Sequence, residues 1–336
     1  MFSSLTVLGI LGAVVICLAM LWHRPFKGFR ENQKLILLEK GTSSYQIAMV
    51  LQQEGVIRHW YGMLSYLKIM KRSAHLQAGE YQFDRPLSIA QVAEKLIRGQ
   101  VYYREVTIPE GYSIFDIAEL MQQKGFLTSD AFFQAARQVN KLADVVEVKG
   151  TLEGYLFPDT YRLTRGTQAD EFISMMLMKF RDIYKKKLET PLKDSPYSVN
   201  EIMTMASLVE KETGLDEERP LVAAVFYNRL RRKMPLQCDP TVIYAALLNG
   251  DFKGKIYQSD LQSNSSYNTY LRLGLPPTPI SNPGIRSIEA ALFPANVDYL
   301  YFVSNNQGGH IFSKTLEEHL KAVASYRRES ARKSHS

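Results

Sequence analysis

Cysteine is nearly missing from the chain: Cys17 and Cys238 are the only two in 336 residues. One sits in an apolar N-terminal run and the other far from it, so no internal disulfide is expected. The six histidines contain no His-x-x-x-His or His-Glu-x-x-His pair, which argues against zinc hydrolysis. There is no Gly-x-Ser-x-Gly elbow and no phosphate loop. Ser65-x-x-Lys68 and Ser330-x-x-Lys333 lack an accompanying Lys-Thr-Gly and are chance matches to a serine-nucleophile pattern. Neither cysteine has a histidine placed to activate it. Carboxylate chemistry is what survives, with no metal and no cofactor implied.

A nucleic-acid motif is missing too. The formal charge of +7 suits an anionic partner. The basic residues are dispersed, however, with runs only at Lys185–Lys187, Arg229–Lys233 and Arg327–Lys333. An acidic cell-envelope surface is the better match. With 46% hydrophobic residues the chain is long enough for two domains behind an anchor. Leu5–Trp22 runs 18 residues without a charge, about the minimum that crosses a bilayer. It lacks the basic start and small-residue site of a cleaved signal. We therefore expect a transmembrane anchor at 5–22, residues 1–4 in the cytoplasm, and a linker at 23–34. Arg24, Lys27 and Arg30 follow the run, and the positive-inside rule by itself would keep the body cytoplasmic.

Beyond the linker lies an internal repeat. Gly41-Thr-Ser43 with Ile47-Ala48 and Gly55 recurs 70 residues later as Gly111-Tyr-Ser113 with Ile117-Ala118 and Gly125. A third, weaker copy starts at Ser88 and closes at Gly99. Each copy predicts a short helix with a serine N-cap, an apolar stripe and a glycine stop. Leu35–Leu38, Tyr81–Phe83 and Val101–Ile108 read as strands. Ala118–Asn140 reads as continued helix. Leu152–Tyr161 is dense in aromatics and broken by Gly and Pro, so it reads as a shaped loop. Glu171–Leu188 and Leu221–Arg232 read as helices. Asp239-Pro240 opens another, with Asp239 as its N-cap. Four prolines between Leu275 and Gly284 stiffen a loop that can wall a groove. A hairpin is expected at Tyr299–Phe312, a last helix capped by Thr315 and Glu318, and disorder over 326–336.

The chemically suggestive stretch is Asn200–Thr213, one helix ending in Glu210 and Glu212. Ile202, Met205, Ala206 and Val209 form its apolar stripe, with Ser207 and Lys211 outside. Glu210 and Glu212 border that stripe on opposite sides. Either can be half-buried, and a carboxyl against apolar walls holds its proton towards neutral pH and serves as a general acid. Either can equally pair with Lys211 or Arg219. Periodicity does not choose between them.

The repeat resembles a LysM-type module, which implies glycan binding through a βααβ unit. Leu152–Tyr161, Met205–Thr213, Phe226–Leu230, Leu236–Tyr244, Tyr267–Tyr270, Gly274–Pro277 and Tyr299–Val303, in that order, resemble the endolytic murein transglycosylase (YceG-like) family. The likeness runs from the anchor to about residue 325. It implies an α+β protein: a transmembrane helix, a LysM-like domain at 35–105, and a catalytic domain with a glycan cleft at 106–325. It implies single-pass insertion in the bacterial inner membrane, with the body on the outer side. Glycan strands of peptidoglycan would be the substrate, and cell-wall synthases possible neighbours. The second Glu of Glu-Lys-Glu-Thr, Glu212, is the implied catalytic acid. Glu153, Tyr155, Asp159, Glu210, Gln237, Asp239, Tyr244, Asn268, Pro276 and Pro277 are candidates for supporting the sugar, and Cys238 is given no role. The implied reaction cleaves the bond from N-acetylmuramic acid to N-acetylglucosamine without water. The alternatives are a two-carboxylate muramidase in which Glu153 or Asp239 activates water, and a glycan-binding scaffold without activity.

Overall fold

The structure, a computed structural model, describes residues 13, 16–72 and 76–333. It is a mixed α+β protein in two compact units: residues up to Glu105 with Arg162–Thr167, and Val106–Tyr161 with the chain from Gln168 on. Most of the expected anchor and the short segment before it lie outside the described residues. Among the described residues no helix is long and apolar enough to cross a membrane. Residues 16–23 are helical. Trp22 is buried there, its indole N–H donating to Ser65 Oγ at 3.0 Å, and Leu18 and Leu21 pack on the same core.

The first unit runs β1 (Lys34–Leu38), α1 (Ser44–Gln53), α2 (Trp60–Ile69), β2 (Gly79–Phe83) and α3 (Ile89–Ile97). β1 and β2 pair antiparallel, with Ile36 opposite Tyr81. Their buried residues close on Leu51, Leu67, Val92 and Leu96. Ser43 and Ser88 each accept from the backbone N–H of a glutamine three residues on, whose side chain answers the serine N–H.

The chain leaves this unit within β3 (Arg104–Thr107), shorter than the strand predicted at Val101–Ile108. α4 (Ile114–Gln123) has the same capping box, from Ser113 and Asp116. All three repeat helices end at a glycine in the left-handed region, Gly55, Gly99 and Gly125. That stop corrects the helix expected over Ala118–Asn140: after Gly125, Thr128 caps a separate helix, α5 (Ser129–Ala136). β4 (Thr160–Leu163) pairs with β3. α6 (Ala169–Ile183) then runs through one π-helical turn into α7 (Glu189–Lys193).

α8 (Val199–Glu212) is started by a capping box between Ser198 and Glu201. Every residue from Ile202 to Val209 is buried, so α8 is a central helix and not a surface helix with one apolar stripe. Ser207, expected outside the stripe, is buried: its hydroxyl donates to Thr204 O at 2.7 Å and accepts Ile280 N–H at 3.1 Å. α9 (Arg219–Arg231), α10 (Asp239–Asn249) and α11 (Ile285–Leu292) pack round it. Outside these come the hairpin β5 (Tyr301–Ser304) and β6 (His310–Ser313), then α12 (Leu316–Lys333) with its Thr315–Glu318 cap. α12 carries helix to Lys333, through most of the tail expected to be disordered, and residues 334–336 lie outside the described residues.

The proline loop is part of the core. Gly154 (φ +90°) lies so close to Pro279 that a Cβ there would come within 2.4 Å of the ring. Asn282, fully buried, joins three segments: its Oδ1 accepts Gly154 and Leu156 N–H at 2.9 Å each, and its Nδ2 donates to Tyr112 O at 2.9 Å and Glu153 Oε1 at 2.8 Å. Asn282→Ala leaves these buried groups unpaired. Thermal or urea unfolding of the full chain should show a loss of about 3 kcal/mol; a loss below about 1 kcal/mol would show that the junction is held otherwise.

Candidate active site

α8 ends in two glutamates with opposite surroundings. Glu210 faces Arg219 at 3.1 Å and accepts Gly284 N–H at 2.9 Å, at the start of α11. Both side chains of that pair are 6% exposed, and Arg219 also meets Asp216 and Ser287. Glu210 is thus the paired, structural carboxylate.

Glu212 leaves the helix on the other side and lines a cavity of 280 Å³. Phe226 and Arg229 of α9, Leu236, Gln237, Asp239, Tyr270, Phe302 and His319 form the rest of its wall. Cys238 Sγ donates to Glu212 Oε1 at 3.0 Å. Burial pushes the Glu212 carboxyl above the usual carboxylate range. The thiol opposes that rise, the charge of Asp239 adds to it, and His310 and Arg229 oppose it. The group is therefore poised to carry a proton at a higher pH than a solvated glutamate.

The wall is braced. Arg229 donates through Nε to Leu300 O at 2.7 Å and through Nη1 to Leu236 O at 2.9 Å, while Tyr301 lies 5.2 Å from its Cζ. His319 stacks on Tyr301 with ring centres 5.1 Å apart. Just past the helix, Thr213 Oγ1 donates to Glu218 Oε2 at 3.0 Å, and Glu218 Oε1 accepts His310 N–H at 2.6 Å. Burial acts to raise the Glu218 pKa, but the bonds from His310 and Thr213 hold it below the usual range. Glu218 so ties the hairpin to the end of α8.

Of the residues singled out in the sequence, Gln237 and Asp239 join Glu212 in the cavity wall. Asp239 is not the N-cap: Cys238 holds that position, and the Asp239 carboxylate accepts the Tyr270 hydroxyl. Asn268 is buried. It ties Leu261 and Ser263 carbonyls to Tyr270 N–H, fixing the loop that presents Tyr270. The rest stand away from the cavity wall. Tyr155 is core, its hydroxyl on Asn200 at 2.9 Å. Asp159 pairs with Lys179 at 2.6 Å. Pro276 is buried and Pro277 exposed. Glu153 and Tyr244 form a buried pair, with Glu153 also accepting Ile114 N–H at 2.9 Å. Glu153 is wholly enclosed, so it cannot activate water in a cleft. The sequence reading missed Cys238, Tyr270, Phe302 and His319. Only the aromatic density around Tyr267–Tyr270 and Tyr299–Phe302 hinted at a ring-lined wall.

A half-buried carboxyl of raised pKa, set in a cavity rimmed by aromatic rings and hydrogen-bonding groups, is the equipment of an acid–base enzyme acting on a polar, ring-shaped substrate. The chain belongs to the YceG-like family, whose model matches residues 36–325. It is 35% identical over 308 residues to an endolytic murein transglycosylase of Bacillus subtilis, covering 87% of this chain and 84% of that one. It is 31% identical over 338 residues to an endolytic murein transglycosylase of Streptococcus pneumoniae, covering 90% of this chain and 60% of that protein. A crystal structure of a YceG-like protein from Listeria monocytogenes, 34% identical, superposes with a TM-score of 0.58 over 87% of this chain and 99% of that one.

Burial also drives the Glu153 carboxyl up to about 8. The folded state then keeps a proton that the unfolded chain releases above the ordinary value of 4.5. Stability from this group is full below that value and falls as pH rises through about 8, at up to about 1.4 kcal/mol per pH unit. Chemical unfolding of the full chain between pH 5 and 8 should show this slope, and Glu153→Gln should remove it. An equal slope in both proteins would assign the proton elsewhere.

Proposed function

We propose that this chain is an endolytic murein transglycosylase, cleaving the β-1,4 bond between N-acetylmuramic acid and N-acetylglucosamine inside peptidoglycan strands. The observation that carries this reading is Glu212, a half-buried carboxyl of raised pKa in the wall of the cavity. The names of the relatives give the substrate class.

Neutral Glu212 gives its proton to the glycosidic oxygen as an oxocarbenium-like centre develops on the muramic ring. The carboxylate so formed takes the proton of the muramic 6-hydroxyl, whose oxygen closes a 1,6-anhydro ring. One group therefore works in both directions and no water is consumed. Asp239, held by Tyr270, and the fixed cation of Arg229 are placed to bind sugar hydroxyls and balance charge. In the rival hydrolysis, Asp239 would activate water. We extend the proposal to attachment by the apolar run at Leu5–Trp22, with the body on the outer face of the cytoplasmic membrane, where it would terminate newly made strands beside the synthases. The β-α-α-β order of the first unit supports a LysM-like, glycan-contacting role for it.

Two experiments test this. Purified uncrosslinked glycan strands digested with the full chain should yield fragments ending in anhydro-muramic acid, lighter by one water than reducing ends. Glu212→Gln should cut the rate by at least about 10²-fold. Reducing ends would establish hydrolysis, and a fully active Glu212→Gln would remove Glu212 from the chemistry. On fractionation of expressing cells, the protein should stay with the membranes after alkaline carbonate washing and be open to protease only from outside. Recovery in the soluble fraction would contradict the anchor.

A further inference from the structure

We infer that Cys238 is a positioning residue for Glu212: its thiol, fixed by a polar clamp at the start of α10, holds one carboxyl oxygen and leaves the other to meet the glycosidic bond. This rests on Glu212 being the proton carrier.

The thiol has little freedom. Cys238 N–H donates to Thr269 Oγ1 at 3.0 Å, and Cys238 O accepts the Thr241 N–H at 3.1 Å and its hydroxyl at 2.6 Å. The two threonine hydroxyls lie 2.9 Å apart. The preceding residue, Gln237, is held in the left-handed region at φ +53° with its N–H on Thr269 O. Cys238 is 1% exposed, so Sγ has no solvated rotamer to adopt. Its one side-chain partner is Glu212 Oε1 at 3.0 Å, and Oε2 accepts no hydrogen bond from the described residues. The carboxyl thus has a tethered oxygen and an open one.

The sulfur suits a group that must both give and take a proton. Burial, with Glu212 beside it, pushes the Cys238 thiol well above its usual range, so it stays S–H and donates. An S–H is a weak donor. It orients the carboxyl without favouring the anion as strongly as a hydroxyl or an amide would. The other charged or titratable groups facing Glu212 or sharing its cavity wall are Asp239 of α10, Arg229 of α9, His310 of β6, Tyr270 and His319 of α12, whose imidazole burial and Arg229 hold below its usual range. Asp239 disfavours the anion while Arg229 and His310 favour it. Against this background, changing the donor strength at 238 should move the balance in a known direction.

The test is the pH dependence of kcat on purified uncrosslinked glycan strands, for the full chain as wild type, Cys238→Ser, Cys238→Ala and Glu212→Gln. The reaction starts from neutral Glu212, so the alkaline limb reports its ionisation. Cys238→Ser, a stronger donor, should move that limb down by about 0.5–1 pH unit; Cys238→Ala should move it up by a similar amount and lower kcat several-fold, with KM little changed. A purely structural role would lower the rate and leave the limb in place. An unmoved limb, or both variants moving it the same way, overturns the inference. A readout independent of variants at 238 is the infrared S–H stretch of Cys238 in a Cys17→Ala background. The band should move to lower frequency as Glu212 ionises, and a pH-insensitive band overturns the inference. Full activity in Glu212→Gln would instead overturn the catalytic reading beneath it.

Discussion

The structure turns on the desolvation of one carboxyl group. Glu212 is the last residue of a helix whose stretch Ile202–Val209 is wholly buried, so its side chain follows apolar packing directly into the wall of a cavity. Burial favours the protonated form, and the thiol of Cys238, Arg229 and His310 pull the other way. The net result is a carboxyl that holds its proton above the ordinary glutamate range while partners for its anion stand beside it, which suits a group that lends and then reclaims a proton. The second glutamate, two residues earlier, shows the opposite outcome. The Arg219 guanidinium and the Gly284 amide hold the two oxygens of Glu210, and there it ties α11 to α8.

Much of the surrounding structure fixes where that carboxyl sits. Ser207 ties α8 to the proline loop, Asn282 ties that loop to the Glu153 segment, and Glu218 ties the hairpin to the residue after Glu212. Thr241 and Thr269 fix Cys238. These are short bonds among buried groups, whose loss leaves partners unpaired in a medium without water. The catalytic geometry and the stability of the second unit are therefore supplied largely by the same contacts.

Local features were legible in the sequence. Ser43, Ser88, Ser113 and Ser198 start helices through contacts three residues long, and the glycines ending three of them need only a left-handed turn. The position of the two glutamates at the flanks of α8 was also readable, since it follows from helical period. Which of them is paired was not, because Gly284 lies 74 residues further on; only the family motif distinguished them. Asn282 passed unnoticed because its partners lie up to 170 residues away. Cys238 is given no role by the sequence, and Asp239 is expected as the cap one place too late, since Cys238 holds that position. Tyr155, Pro276 and Pro277 were drawn towards the sugar by their chemistry, yet the fold puts them in the core or away from the cavity. Aromatic and proline content alone does not separate a wall from a core.

The most direct measurement is a titration of Glu212 itself. Carboxyl-carbon NMR of glutamate-labelled full chain, with the Glu212 signal assigned by its loss in Glu212→Gln, gives the midpoint without any assay of activity. The account predicts a midpoint clearly above the ordinary glutamate value of 4.5. A midpoint at or below that value would show a carboxyl that is ionised whenever substrate arrives, and the central claim would fail.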